Sequence, residues 1–179
     1  MTPLGLIGDF QADRVHHGGH DKALHHYPAE HYVTWQAELP SRSGLFHPGG
    51  FGENLSTRGL HEDSVCLGDI FCLGTTLIQI SQGRQPCSKL NLRFDSPDML
   101  ERVRANGRTG WYYRVLKPGE IGIGDALTLH KRPLPDWTLS RLWKTLFGAH
   151  KDRNDLTWLS QQPILGASWR ERAARRLSE

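Results

Sequence analysis

Cysteine is scarce in this chain. Three in 179 residues, Cys66, Cys72 and Cys87, cannot all pair with one another, so a disulfide framework is excluded and a reducing cytoplasm is the simplest home. Three scattered cysteines also cannot build a four-thiolate iron–sulfur site. Excess charge of one sign is lacking too: the net charge of +3 is too small to argue for nucleic acid. No apolar run approaches the ~20 residues that a membrane span needs. The first residues, Met1-Thr2-Pro3-Leu4-Gly5, lack the cationic start and apolar core of a signal peptide. No membrane partner is expected. The remaining composition, 37% hydrophobic and 23% charged with a mean hydropathy of −0.52, is that of a soluble globular protein. The length suits one domain, or one domain with a small appendage.

Histidine and short apolar runs are plentiful. Of the ten histidines, His16, His17, His20, His25, His26 and His31 crowd one stretch. A zinc hydrolase is disfavoured all the same. Gly18-Gly19 separates His16 from His20, glycine is poor helix interior, and there is no His-Glu-x-x-His. Residues 1–26 read as loop, with a short strand near Leu4 to Ile7. A helix starts at Tyr27-Pro28 and stops before Pro40. Val65 to Leu73 reads as strand, Gly68-Asp69 turn, strand, and Ile121 to Leu129 repeats the pattern around Gly124-Asp125. With Leu77 to Ser81 and Trp111 to Leu116 this gives about six short strands. Between them lies a helix capped by Ser96 and stopped at Asn106-Gly107. Beyond Arg132-Pro133 the period becomes helical. Leu139, Leu142, Trp143, Leu146 and Phe147 form one apolar stripe. Asp155 to Gln161 suits a short second helix. Ser168 to Glu171 reads as a capping box opening a third, whose Arg170, Arg172, Arg175 and Arg176 read as a solvated face. The expected fold is mainly β with α. A β-barrel with peripheral helices spans residues 1–132, and a three-helix appendage spans 133–179.

The stretch with the most chemistry is Ser81-Gln82-Gly83-Arg84-Gln85-Pro86-Cys87-Ser88-Lys89-Leu90, at the exit of the apolar run Leu77 to Ile80. Gly83 and Pro86 shape the approach to a cysteine that has Arg84 and Lys89 close in sequence. Cations favour the thiolate, which is a nucleophile and a soft metal ligand. The plain alternative is that Cys87 is a small buried hydrophobe. Cys66 and Cys72, in apolar strand patterns, read as packing, and Asp69 and Asp125 as turn formers.

This segment resembles the cysteine motif of MOSC domains, the β domains at the end of molybdenum-cofactor sulfurases. Gly8-Asp9-Phe10-Gln11-Ala12-Asp13, His17-Gly18-Gly19-His20-Asp21-Lys22-Ala23, Phe51-Gly52-Glu53-Asn54-Leu55 and Gly68-Asp69 match the same family in order. With the helical tail, the likeness is to the stand-alone bacterial YiiM type. There are two departures. The chain starts almost at the Gly8-Asp9 motif, where family members carry further N-terminal residues, and an unfilled barrel strand would leave an exposed edge. Gly83 stands where the family usually has Pro.

The resemblance implies molybdenum cofactor (molybdopterin) and a reductase of N-hydroxylated compounds, such as the base analogue 6-hydroxylaminopurine. It makes Cys87 the molybdenum ligand and a catalytic residue. Arg84 and Lys22 are the implied anion clamps, with Gly52, Glu53 and Asn54 at the pterin edge. His17 would contact phosphate or relay protons. Asp21 would orient Lys22. The implied partners are an N-hydroxylated small molecule and an electron-transfer reductase protein, because the chain has no flavin, haem or iron–sulfur signature; a homodimer is allowed. The alternative is a carrier that holds the cofactor, or a sulfur on Cys87, without turnover. A nucleic-acid module built on the arginine-rich last helix is disfavoured by the small net charge. The family is also linked to pyridoxal phosphate binding, for which Lys22 is the one candidate.

Overall fold

The computed structural model describes residues 1–9 and 18–179. Five strands form one antiparallel sheet: β1 (Leu24–His26), β2 (Ile70–Leu73), β3 (Thr76–Gly83), β4 (Trp111–Lys117) and β5 (Leu127–Lys131). Their order is β1-β4-β3-β2-β5. β3 lies at the centre and is buried along almost its whole length, as expected of a strand covered on both faces. The mainly-β class and the helical tail are as read from the sequence. Closure into a barrel is corrected: among the described residues the sheet is open, with β1 and β5 as its edges. The side chains of β5 are mostly exposed.

Three further strand expectations change. Ile121 to Ile123, ahead of the Gly124-Asp125 turn, forms no strand, and β5 begins only at Leu127. Val65 to Leu67 forms no strand; Cys66 makes an isolated bridge to Thr138, and Leu67 N–H donates to the Trp137 carbonyl at 2.8 Å. Near the N-terminus, Thr2 and Gly5 close a turn upon themselves instead of a strand. Both Gly-Asp pairs are turns. Gly68 takes a φ of 80°, and Asp69, fully buried, accepts from Cys66 N–H at 2.9 Å and from the Arg132 guanidinium at 2.7 and 2.9 Å. Asp125 accepts from Gly122 N–H at 2.7 Å.

The helices are α1 (Glu30–Glu38), α2 (Lys89–Arg93), α3 (Met99–Asn106), α4 (Leu139–Phe147), α5 (Arg153–Gln161) and α6 (Ala167–Ser178). Gly107 ends α3 in the left-handed region, as its sequence position suggests. Ser96 does not cap α3 directly; its hydroxyl donates to Asp98 at the cap position, at 2.7 Å. Ser168 is not a cap either. It lies inside α6 and donates to Gln82 Oε1 at 3.2 Å. Arg176 leaves the solvated face assigned to it: it is buried and donates to the carbonyls of Leu146, Gly148 and His150, satisfying the open end of α4.

Two apolar cores result. The larger joins the sheet (Ile78, Ile80, Trp111, Tyr113) to the tail (Leu142, Leu156, Trp169). The smaller is aromatic: Phe51 stacks on Tyr27 at 4.0 Å and Phe46 on Phe94 at 4.7 Å, with Trp35 and Val103 beside them. It holds α1, α3 and the loop through Phe51. Residues 84–88 run from the last strand residue of the first core to α2, whose Leu90 belongs to the second. No helix among the described residues is long and apolar enough to cross a membrane.

Candidate functional site

Arg84 leaves β3 with its backbone N–H donated to the Gly110 carbonyl at 3.0 Å, which ties it to the residue before β4. The side chain is 8% exposed, and Nη1 has no partner among the described residues. Burying a guanidinium nitrogen without an acceptor costs on the order of a few kcal/mol, so it marks a place for a ligand acceptor. The guanidinium acts on the nearby Tyr112 phenol. Burial holds that phenol above its ordinary range, against the pull of Arg84, so Tyr112 keeps its proton at neutral pH. The Cys87 thiol, half-buried and not in a disulfide, acts on the same phenol.

β1 adds His25, opposite Tyr112 in the register, with ring centroids 5.2 Å apart. His25 is buried, and its Nε2 also lacks a partner among the described residues. Burial, then the neighbouring Arg84 charge, pushes its pKa well below the ordinary imidazole value, so the ring is neutral. The Gly52 and Thr109 backbones oppose that shift. Gly52 has φ of 74°, and the space where a Cβ would project holds no atom within 4 Å. A partly open thiol, a buried guanidinium and a neutral imidazole therefore gather around Tyr112, with the open backbone of Gly52 on the imidazole.

The remaining candidates divide. Asn54 is committed to the fold: Oδ1 accepts from His25 N–H at 2.8 Å, and Nδ2 donates to Asp9 at 2.9 Å. Glu53 holds its own loop, accepting from Phe51 N–H at 2.9 Å, Gly49 N–H at 2.6 Å and the Tyr32 hydroxyl. Lys22 closes a short 3-10 turn, His20–Lys22, just before β1. His17, like most of the Gly8 to Asp13 motif, lies outside the described residues. Cys66 is packing, as read: its thiol donates to the Pro135 carbonyl, and burial and Asp69 push its pKa up. No group of three or more His, Cys, Asp or Glu among the described residues could hold a metal ion. His31 instead pairs with Glu62 at 2.8 Å, and His26 bonds Tyr113 and Thr57 at 3.0 Å each.

His25 and Tyr112 are the site residues that sequence reasoning missed. His25 stood out only as one of a histidine cluster, and Tyr112 only as one of three successive strand aromatics. Nothing in the sequence tells which of Trp111, Tyr112 and Tyr113 faces Arg84.

The arrangement suits a ligand with an anionic or acceptor group for Arg84 and a polar edge for His25, with a soft metal within reach of Cys87. Molybdenum cofactor offers all three, so the residues present fit it. They give no support to pyridoxal phosphate at Lys22, and that reading ends here.

Comparison with known proteins identifies the family. Residues 13–128 match the MOSC domain family, and residues 137–179 match the YiiM-like 3-alpha helix domain. Protein YiiM of Escherichia coli is 49% identical over 132 residues, covering 74% of this chain and 59% of that protein. A protein named reductase from Gibberella moniliformis is 40% identical over 164 residues, covering 91% of this chain and 29% of that protein. The chain thus spans well under two thirds of either relative. The crystal structure of YiiM from Escherichia coli superposes with a TM-score of 0.88 at 41% identity, over 99% of this chain and 84% of that one. YiiM from Geobacillus stearothermophilus gives 0.82 at 38% identity, over 89% and 80%.

Proposed function

We propose, from the premise that this chain belongs to the MOSC domain family and carries a YiiM-like three-helix tail, that it binds molybdenum cofactor and reduces N-hydroxylated compounds. The observation that carries the reading is the unpartnered Nη1 of buried Arg84 beside the half-buried Cys87 thiol, in the segment that matches the family's cysteine motif. The reductase from Gibberella moniliformis supports the reaction class.

Each residue has a definite task in this reading. Arg84 holds the anionic part of the cofactor by charge and hydrogen bonds, in a buried position where such bonds are strong. Cys87 offers the thiolate ligand. The open backbone at Gly52 lets the pterin approach, and neutral His25 meets its polar edge through Nε2. When bound, the cofactor supplies two-electron chemistry that takes the hydroxyl oxygen from N–OH, two electrons and two protons in all giving amine and water. Tyr112 carries a proton beside the thiol at neutral pH. In this reading the electrons come from a partner protein.

The test is molybdenum content by inductively coupled plasma mass spectrometry. Wild type and Cys87→Ala are made in a host that synthesises the cofactor and in one that cannot. Near-stoichiometric metal only in wild type from the competent host is expected. If no metal is bound in any preparation, and free cofactor adds none, the reading fails and sulfur transfer on Cys87 takes its place. Bound metal without turnover, given an electron donor and an N-hydroxylated substrate, would make the protein a carrier.

A further inference from the structure

The N-terminal end of α6 touches the turn that carries Lys22 and the end of β3 that leads to Arg84. On one side is the turn that ends in Lys22. The Asp21 carboxylate accepts from Ala167 N–H at 3.1 Å, in the first turn of α6, and takes Arg114 of β4 in a fork at 2.7 and 3.1 Å. The Asp21 carbonyl accepts from the Ser81 hydroxyl on β3. On the other side is the end of β3, one residue before Arg84. Gly166 N–H donates to the Ser81 carbonyl at 2.9 Å, and Ser168 reaches Gln82. The Trp169 indole lies so close over Gly83 that a Cβ there would meet its Cη2 at 2.6 Å. Gly83 does not have a left-handed φ. A side chain at this position is therefore opposed by the indole and not by the backbone.

We infer that α6 is part of the site's positioning machinery: Asp21 and the Gly83–Trp169 contact set where Lys22, Arg84 and, three residues on, Cys87 stand. They are positioning residues and touch no ligand themselves. Asp21 does more than orient Lys22: it closes a circuit running from the Lys22 turn through β4 and α6 to β3. Arg84 is then held from two sides, by Gly110 through its backbone and by Trp169 through Gly83. A displacement of α6 moves the cysteine segment, because tightly packed contacts transmit strain.

The inference rests on the reading of Cys87 and Arg84 as the cofactor residues, and its test needs no cofactor. The rate of Cys87 alkylation by iodoacetamide is measured against pH on the cofactor-free full chain, with the modified cysteine identified by peptide mass spectrometry. Asp21→Asn and Gly83→Ala are compared with Leu156→Ala, which opens a cavity in the core shared by tail and sheet but removes neither the Asp21 bonds nor the Gly83–Trp169 contact, and all three melting temperatures are recorded. Thiol reactivity follows local environment, so a change of about threefold or more is expected in the first two variants and none in Leu156→Ala. The Gly83→Ala/Trp169→Leu pair, which relieves the clash, is expected to return the profile toward wild type. Equal profiles in all variants would overturn the inference and leave α6 a structural element only. So would a change that tracks melting temperature, Leu156→Ala included. Molybdenum content is read separately: loss of the profile change leaves the cofactor reading standing, and loss of metal binding leaves the profile change interpretable.

Discussion

Arg84 carries the sharpest consequence of a single side chain. A buried cation with one nitrogen unpartnered among the described residues suits an acceptor on a ligand, and hydrogen bonds to charged groups contribute about 1.5–3 kcal/mol. Arg84→Gln should therefore weaken cofactor binding by roughly ten- to a hundredfold while far-ultraviolet circular dichroism stays that of wild type. Retention of wild-type molybdenum content would remove Arg84 from the site. The buried histidines make a second prediction. Burial lowers the His26 pKa from 6.5 to about 3. The unfolded chain takes up a proton below pH 6.5 that the folded chain refuses until about pH 3, so stability is full above this window and falls as pH drops through it. Each such site contributes a slope of about 1.4 kcal/mol per pH unit once pH is well below 6.5. Urea unfolding between pH 7 and 4 should show this slope reduced in His26→Gln; an unchanged slope would place the titration elsewhere. Cys87 and Arg84 were legible in the sequence because a thiol and a cation at a strand exit form a local pattern. His25 and Tyr112 were not, because they meet only through strand pairing between residues far apart in the chain.

Helix ends show how far local chemistry reaches. Asp152 accepts from Asn154 N–H at 2.9 Å and Asp155 N–H at 3.0 Å, the arrangement of a helix cap. Asp152→Ala should cost about 1 kcal/mol, read as a lower urea midpoint with unchanged m-value. Thr138 does the same for α4 through Arg141 N–H at 3.1 Å. α6 departs from that rule. Its sequence offers Ser168 as cap, yet the helix begins earlier and its first N–H groups face Asp21, 146 residues away in the chain. A local signal was overruled by a tertiary acceptor at the same helix end. Likewise the arginines of α6 look like one solvated stripe, but Arg176 turns inward to the carbonyls of α4.

At the scale of the molecule, the tail and the sheet share an apolar core. Leu142, Leu146, Leu156 and Trp169 pack with Ile78, Ile80 and Trp111. We expect the two parts to unfold as one: differential scanning calorimetry should give a single transition with calorimetric and van't Hoff enthalpies in agreement. Two separated transitions would mean that the shared core does not couple them. The boundary near residue 132 remains a division of the sequence, whereas the core crosses it.

By itself the sequence determined the β-rich body, the three-helix tail and the turns at Gly68-Asp69 and Gly124-Asp125, and it singled out Cys87 and Arg84 as candidates. All of these depend on periodicity, turn residues or neighbours within a few positions. Only the tertiary structure decided that the sheet stays open among the described residues, that Tyr112 and His25 meet beside Arg84, and that α6 fastens onto the end of β3. These depend on which distant residues share a burial environment. Strand register and helix docking are selected by the packing of whole faces, and no short stretch of chain encodes them.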